Sequence, residues 1–187
     1  MDTAVANQTT TAQANISHPE EHSVLNKTKS VETEQEPIKI SIIIPTSAYF
    51  ISGIRDFTMT VVQNMTGFSE QWAYRFQSVV DELANNAIEF GSASGEDVKI
   101  TFVSMKGKYI EVFVEDTGTG PVKKTAAEMM DFVKKQKSVD PATITTLRGR
   151  GLTQIVSSWT DTLEFQDNEK GGLTVHVVKN LERGEEV

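Results

Sequence analysis

The chain has 187 residues, of which 38% are apolar, and a formal net charge of -8. This length suits one domain with additional tails, and the sequence contains neither an apolar run long enough to span a membrane nor a signal-peptide core near its start. The acidic balance disfavours a nucleic-acid backbone as the main partner, because such binding relies on Lys and Arg. Without cysteine, and with three histidines that are not spaced as ligands, a transition-metal enzyme is also disfavoured. We expect a soluble, cytoplasmic protein with one core.

The first 37 residues differ in composition from the rest of the chain. They are rich in Thr, Gln, Asn, Ser and Glu, show no sustained apolar period, and carry six acidic residues against two basic ones. Such a segment cannot bury enough apolar surface to fold by itself. We therefore expect a disordered acidic tail over 1–37, a folded domain over 38–181 and a short C-terminal tail over 182–187.

The folded part is predicted to begin with a strand and two helices. The β-branched run IKISIIIP, residues 38–45, predicts the first strand. Apolar residues then recur at three- and four-residue steps over 50–65, with Ser47 available as N-cap, which predicts an amphipathic helix. A second apolar stripe predicts a helix over about 70–90, capped by Ser69.

The second half of the domain alternates strands with shorter helices. Two alternating segments, 98–102 and 110–114, predict a hairpin closed by the turn MKGK. TAAEMMDFVKKQ and GRGLTQIVSSW predict helices, and DTLEFQ and LTVHVVKNL predict a final pair of strands. This order favours an α+β fold, a two-layer sandwich in which helices cover one face of a mixed, mostly antiparallel sheet.

Polar residues border the apolar stripe of the second helix, in the stretch DELANNAIEFG. Glu82, Asn86 and Glu89 follow at i, i+4 and i+7, which places them along one helix face. An amide oxygen is a neutral, hard ligand suited to Mg²⁺, and a carboxylate one turn away can orient or deprotonate a hydroxyl. Phosphoryl transfer would use both groups, although an ordinary solvated helix face carries the same residue types.

Two glycine motifs supply further parts of a nucleotide site. In VEDTGTGP a strand leads into Asp116, Gly118 and Gly120; an ionised Asp116 can accept a hydrogen bond from the exocyclic amine of adenine, and glycines permit close ligand approach. In LRGRGLTQ, Gly149 and Gly151 stand at a predicted helix start, where exposed backbone amides bind anions. The basic residues beside this second motif are Arg148 and Arg150. Either motif alone also fits an ordinary turn, and both the P-loop and the dinucleotide-binding fingerprints are absent.

In this chain order the three motifs resemble the GHKL ATP-binding superfamily, which includes gyrase, histidine kinases and mismatch-repair ATPases. They are Glu-x-x-x-Asn on a helix, Asp-x-Gly-x-Gly after a strand and Gly-x-Gly at a helix start. The segments FSEQWAYRFQSVVDELANNAIEFG, VEDTGTGP and RGRGLTQIVSSWTDTLEF look closest to the anti-sigma-factor serine kinases of that superfamily. The resemblance covers about 38–181 and implies a histidine-kinase-like ATPase fold that binds ATP and Mg²⁺.

The resemblance also implies a role for each motif residue. Glu82 matches the general base, Asn86 the Mg²⁺ ligand and Asp116 the residue that reads adenine. Further nucleotide-binding residues implied by the resemblance are Gly118, Gly120, Arg148, Gly149, Arg150, Gly151, Leu152 and Thr174. The segment 121–148 corresponds to a lid that folds over the nucleotide. Arg148 departs from the family pattern, which often has another glycine at that position.

In anti-sigma-factor kinases the γ-phosphate of ATP passes to a serine of a STAS-type anti-anti-sigma protein, and partner exchange then controls a sigma factor. The resemblance therefore implies a serine/threonine-protein kinase in a transcriptional stress response, present as a homodimer and without direct nucleic-acid or membrane binding. Two other functions stay open. One is a nucleotide-gated module that sequesters a partner without phosphorylating it. The other is a detached histidine-kinase catalytic domain, which the polar context of His18 and His22 disfavours.

Overall fold

The computed structural model of the chain describes residues 36–138, 151–182 and 184–185. All of them belong to one compact unit, Glu34–Val187. The tail predicted over 1–37 therefore falls almost wholly outside the described residues. The last part of the predicted lid, 139–148, also falls outside them.

Five strands and four α-helices follow one another in the described chain. In chain order they are β1 (Ile38–Pro45), α1 (Ile51–Met65), α2 (Glu70–Asn86), β2 (Asp97–Met105), β3 (Tyr109–Glu115), α3 (Ala126–Lys137), α4 (Ser157–Trp159), β4 (Thr162–Asp167) and β5 (Leu173–Asn180). Each strand and helix predicted from the sequence is present. Ser47 caps a short 3-10 turn, Ala48–Phe50, that leads into α1, and its hydroxyl accepts a hydrogen bond from the Tyr49 amide.

The strands form one sheet in the order β1-β2-β3-β5-β4, with α1 and α2 packed on its inner face. Every described strand pair is antiparallel. The sheet predicted from the sequence was mixed and mostly antiparallel. Short turns join β2 to β3 and β4 to β5, as in antiparallel hairpins, whereas longer segments that contain helices lie between the paired strands β1 and β2 and between β3 and β5. The predicted α+β sandwich is confirmed.

The core lies between the sheet and α2. Alternate residues of β2 and β3 face the helices, and Ile100 and Val112 are fully buried. On α2 the inward stripe predicted from periodicity includes Phe76, Val80 and Leu83, each at most 2% exposed. Burying a large apolar side chain contributes roughly 1.5–3 kcal/mol, so this stripe holds the helix in one rotation about its axis. The polar residues at the edge of the stripe are thereby held in fixed positions.

The last turn of the second helix is wider than an α-helix. After Asn86 the chain continues as a π-helical segment, Ala87–Gly91, and the Ser92 amide donates to the Ala87 carbonyl at 2.9 Å. The predicted end of the helix at Gly91 is confirmed. π-Helical turns are rare and often occur at functional sites.

The described residues of the predicted C-terminal tail, 182–187, include contacts with the domain. Lys179 is buried on the inner face of β5, with its Nζ 3.3 Å from carboxylates of Asp161 and Glu185 and 4.8 Å from the centre of the Trp72 ring. The Ser69 amide donates to the Glu185 carbonyl at 2.7 Å. Ser69 occupies the N-cap position of α2, but its side chain makes no capping hydrogen bond, contrary to the prediction.

Candidate functional site

A cavity of about 550 Å³ lies between the outer side of α2, the end of β3 and α3. Cavities of roughly 300–1,000 Å³ are typical of small-molecule sites. The polar residues that α2 and its π-helical end contribute are Glu82, Asn85, Asn86 and Glu89. Apolar wall residues include Val114, Met129, Phe132, Phe165, Leu173 and Val175. An apolar slot with polar groups along one wall suits a ligand that has a planar ring and a charged end.

Glu82 and Asn86 face this cavity as a pair. The Asn86 amide Nδ2 donates to the Glu82 carboxylate Oε1 at 2.9 Å, and both side chains are half-buried. Their i, i+4 spacing on one helix face makes the bond possible. The bond uses an amide hydrogen, which leaves the Asn86 carbonyl oxygen Oδ1 available to a cation. Glu82 Oε2 remains available to accept a proton.

The donor set fits a magnesium ion that is bound together with phosphates. Mg²⁺ is usually held by one or two protein ligands, substrate phosphate oxygens and water, and seldom by an all-protein cage. In the described ranges, no group of three or more His, Cys, Asp or Glu side chains is placed to hold a metal. A single amide oxygen from Asn86 is therefore the kind of ligand that a magnesium-nucleotide complex requires.

Asp116 also lines the cavity, and it is only 9% exposed. Its Oδ1 accepts hydrogen bonds from the Gly118 amide at 2.9 Å and from the Leu173 amide at 3.0 Å. Burial raises the pKa of the Asp116 carboxyl above its usual value, and the two backbone hydrogen bonds from Leu173 and Gly118 offset part of that increase. Because both bonds engage Oδ1, the second oxygen is left as an acceptor for the amine of a base.

Gly118 and Gly120 allow two parts of the chain to pack closely. Gly118 has a φ of +65°, and a Cβ added there would overlap the Gly171 carbonyl. A Cβ at Gly120 would overlap the Phe90 carbonyl, and the Gly120 amide donates to the Gly91 carbonyl at 3.2 Å. From the sequence, these two glycines were expected to accommodate a ligand. In the structure neither lines the cavity, because neighbouring backbone fills the space beside each of them.

Gly151 and Leu152 do line the cavity. They begin a π-helical turn, Gly151–Val156, which continues into α4, where the sequence predicted one short helix. A Cβ added at Gly151 would overlap the carboxylate of Glu82. The structure thus brings the first and third motifs of the resemblance against each other. Arg148, Gly149 and Arg150 lie outside the described residues, and their placement at the phosphates stays a prediction.

Thr174 is not brought into the cavity. On β5 it alternates with Leu173 and Val175, which both line the cavity, so its side chain is on the opposite face of the sheet. The register pairs Thr174 with Glu115 and Gln166. The motif resemblance predicted that Thr174 lies near adenine. The alternation of side chains along β5 instead turns it away from the cavity.

Two further residues belong to the site although no sequence motif indicated them. Lys124 lines the cavity just before α3, with its Nζ 4.6 Å from the centre of the Phe132 ring. Asn168, in the turn between β4 and β5, donates from Nδ2 to the Asp116 carbonyl at 2.8 Å. The place of Lys124 in the sequence, directly before the predicted helix TAAEMMDFVKKQ, could have suggested that it lies near the site. The contact of Asn168 depends on strand order, which the sequence does not display.

An α+β sandwich whose cavity is bordered by a carboxylate–amide pair, a buried aspartate and a glycine turn has the architecture of a nucleotide-binding domain. The family model described as histidine kinase-like ATPase domain matches residues 45–179. The chain therefore belongs to the histidine kinase-like ATPase family, of the GHKL type, and the resemblance drawn from the three motifs is confirmed at this level. The family binds ATP and includes kinases and ATPases.

No curated protein matched the chain. None of the helices in the described residues is long and apolar enough to cross a membrane.

Proposed function

We propose that this protein is an ATP-dependent serine-protein kinase that acts as an anti-sigma factor. It would phosphorylate a serine of a STAS-type anti-anti-sigma protein and so control the release of a sigma factor by partner switching. The single observation that carries the kinase proposal is the hydrogen-bonded pair of Glu82 and Asn86 at the cavity wall. The choice of serine, the STAS partner, the sigma factor and a homodimeric assembly rest on the motif resemblance.

Each end of ATP has suitable groups in the cavity. The apolar wall, including Val114 and Leu173, suits the purine ring, and Asp116 accepts a hydrogen bond from its exocyclic amine. Asn86 and Gly151 line the same cavity, and we assign them to the phosphates on the basis of the motif resemblance. A bound Mg²⁺ supplies positive charge that stabilises the phosphates during transfer.

Glu82 is the residue placed to handle the proton. In the proposed reaction the partner's serine oxygen forms a bond to the γ-phosphorus while the bond from that phosphorus to the β-phosphate oxygen breaks, which releases ADP. The serine proton passes to the Glu82 carboxylate. The hydrogen bond from Asn86 holds Oε1, so the other carboxylate oxygen keeps a defined position for that transfer. Positioning of this kind supplies most of the rate in phosphoryl transfer.

Segment 121–148 is the proposed lid, and α3 is its described helix. Thr125 and Glu128 form a capping box at the start of α3, and the Ala126 amide donates to Asp167 of β4 at 2.9 Å. Met129 and Phe132 of the same helix form part of the cavity wall. A ligand in the cavity must therefore contact the lid helix, which links nucleotide occupancy to the surface that the lid presents.

The same contact favours one alternative function, a nucleotide-gated module that binds a partner without phosphorylating it. In that case lid position would be the output and Glu82 would have no chemical role. The two functions differ in what they require of Glu82, and a single substitution separates them.

The test is Glu82→Gln, assayed with γ-labelled Mg-ATP and candidate STAS proteins. Gln keeps an oxygen for the Asn86 bond but cannot accept the serine proton. We expect ATP affinity within about threefold of wild type, and serine phosphorylation lower by about 10²–10⁴-fold. Glu70→Gln, at the start of the same helix, serves as control and should change neither quantity. Phosphorylation that persists in Glu82→Gln would contradict the role assigned to Glu82. If the wild type binds ATP but labels no STAS candidate, the result would favour the gated module.

A further inference from the structure

Asn168 joins the turn between β4 and β5 to the strand end that carries Asp116. Its Nδ2 donates to the Asp116 carbonyl at 2.8 Å, and its Oδ1 accepts from the amides of Lys170 and Gly172, both at 3.0 Å. The backbone of Asn168 also donates to the Gly172 carbonyl at 2.9 Å and accepts from the Gly171 amide at 3.0 Å. One side chain thus organises its own turn and binds a second segment at the same time.

The turn that Asn168 organises packs directly on Asp116. A Cβ added at Gly172 would overlap Asp116 Oδ1, and a Cβ at Gly118 would overlap the Gly171 carbonyl. The next residue of the turn, Leu173, donates its amide to Asp116 Oδ1 at 3.0 Å. The aspartate therefore lies between its own strand end and the Asn168 turn. A shift of that turn would move at least one of the groups that orient the carboxylate.

The chemistry of position 168 calls for an amide. The nitrogen must donate to a carbonyl, and the oxygen must accept from two backbone amides. A carboxylate supplies the acceptor but lacks the donor, and it would place negative charge against the Asp116 carbonyl. Asn alone among the short polar side chains carries both groups at this reach.

We propose that Asn168 is a positioning residue for purine discrimination: it holds the Asp116 strand end so that the carboxylate presents its second oxygen to the exocyclic amine of adenine. This inference rests on the proposed nucleotide function. Asn168 is absent from the lining of the cavity, so its effect passes through Asp116. The expected signature is a loss of discrimination between purines, with the phosphate part of binding retained.

The experiment compares Mg-ATP with Mg-ITP by calorimetry, because inosine carries a carbonyl oxygen in place of the exocyclic amine and so offers Asp116 no donor at that position. The variants are Asn168→Asp, which keeps the acceptor for the turn but replaces the donor with a negatively charged oxygen, and Asn168→Ala, which removes donor and acceptor without adding charge. Asn180→Asp is the matched control, since its Nδ2 also donates to an oxygen, Asp161 Oδ2 at 3.0 Å, at the far end of β5. Melting temperatures are recorded for every protein.

We expect both Asn168 variants to lower the ratio of ATP affinity to ITP affinity by about tenfold, with ITP affinity nearly unchanged, and Asn180→Asp to leave the ratio intact. An unchanged ratio in folded Asn168 variants would overturn the inference while leaving ATP binding standing. A wild type that binds no ATP would instead overturn the proposed function. If both variants fail to fold, the side-chain amide resonance of Asn168 in the wild type decides: it should shift with ATP and not with ITP, and equal shifts would refute the role.

Discussion

The carboxylate of Glu82 occupies the space that a side chain at position 151 would need. The first lies on α2 and the second on the turn that precedes α4, and both line the same cavity. If the cavity binds ATP as proposed, the general base Glu82 and the phosphate-binding turn at Gly151 are immediate neighbours. The absence of a side chain at Gly151 is therefore a condition for the position of Glu82.

Gly151→Ala should impair transfer more than it impairs folding. The new methyl group meets the far end of a flexible side chain, so Glu82 can rotate away at small cost in stability, but it then leaves the position set by Asn86. We expect serine phosphorylation to fall by about 10²-fold, as misplacement of a catalytic group by about 1 Å can produce. Thermal unfolding and a phosphotransfer assay provide the two measurements.

Gly53→Ala is the matched control, because Gly53 lies in α1 with nothing within 4 Å of a Cβ. That control should gain roughly 0.5–1 kcal/mol of stability without loss of activity. A Gly151→Ala protein with wild-type transfer would show that Glu82 tolerates displacement.

Asp116→Asn should make the protein more stable and a poorer ATP binder. Asn keeps an oxygen for the Gly118 and Leu173 amides while removing a carboxylate whose burial is unfavourable when charged. We expect ATP affinity to fall about tenfold or more, because the replacement presents a donor to the adenine amine. A stability gain of about 1 kcal/mol would raise Tm by roughly 2–8 °C. Calorimetric titration and thermal unfolding measure the two effects, and a variant that loses both stability and binding would contradict the prediction.

The stability difference between this variant and the wild type should depend on pH with a definite sign. Burial raises the pKa of Asp116 in the folded protein above its unfolded value of about 3.9, so the folded state binds the proton more tightly. The contribution of this group to stability is fully present below the unfolded pKa and is lost as pH rises through the folded pKa. Asn does not titrate, so the advantage of Asp116→Asn in Tm should be small in acid and widen with increasing pH until the raised pKa is passed. An advantage that shrinks with increasing pH would show that the sign is wrong.

Asn86→Ala should strongly reduce the dependence of ATP affinity on magnesium. The amide oxygen of Asn86 is the proposed cation ligand beside Glu82, and methyl cannot replace it. We expect the gain in ATP affinity between EDTA and excess Mg²⁺ to shrink by at least about tenfold. Asn64→Ala on α1 is the control, since Asn64 makes a side-chain bond to the residue one turn earlier, Nδ2 to the Thr60 carbonyl at 2.8 Å, away from the cavity. Equal magnesium dependence in Asn86→Ala and wild type would remove Asn86 from the metal site.

Lys124→Gln should weaken ATP binding without changing adenosine binding. Lys124 is the basic side chain among the described residues that line the cavity, and three of the other lining residues are acidic. Its ammonium group lies over the Phe132 ring at the cavity wall, and its positive charge favours an anionic ligand. We expect a loss of roughly three- to thirtyfold in ATP affinity at low salt, diminishing as salt is added. Lys134→Gln in α3 is the control, and an equal loss of adenosine affinity would indicate a packing defect in place of a charge effect.

Helix and strand positions were predictable because they depend on short-range periodicity. The repeat of apolar residues along α2 fixed which side of the helix is buried, and so predicted that Glu82 and Asn86 share a face. The contact of Glu185 with the domain was not predictable in the same way. Glu185 has an ordinary polar sequence context, and its attachment depends on Lys179 and Trp72, which lie in distant elements.

The glycines illustrate what the sequence does not predict, which is the group that packs against each of them. Gly118 was expected to make room for a ligand, and the structure gives that room to the Gly171 carbonyl. The sequence indicates that a close approach occurs at a glycine, but it does not identify the approaching group. Thr174 illustrates the same limit for orientation, since the side of the sheet that it faces follows from the register of β5 against β3.

By itself, the sequence determined the element order, the α+β class, the amphipathic face of α2 and the three motifs that resemble an ATP site, because each depends on residues within a few turns of one another. Only the tertiary structure decided that Gly151 meets Glu82, that Asn168 holds the strand end at Asp116, and that Thr174 faces away from the cavity. These contacts join segments far apart in the chain. They are set by strand order, register and the packing of helices on one sheet face, which no local pattern encodes.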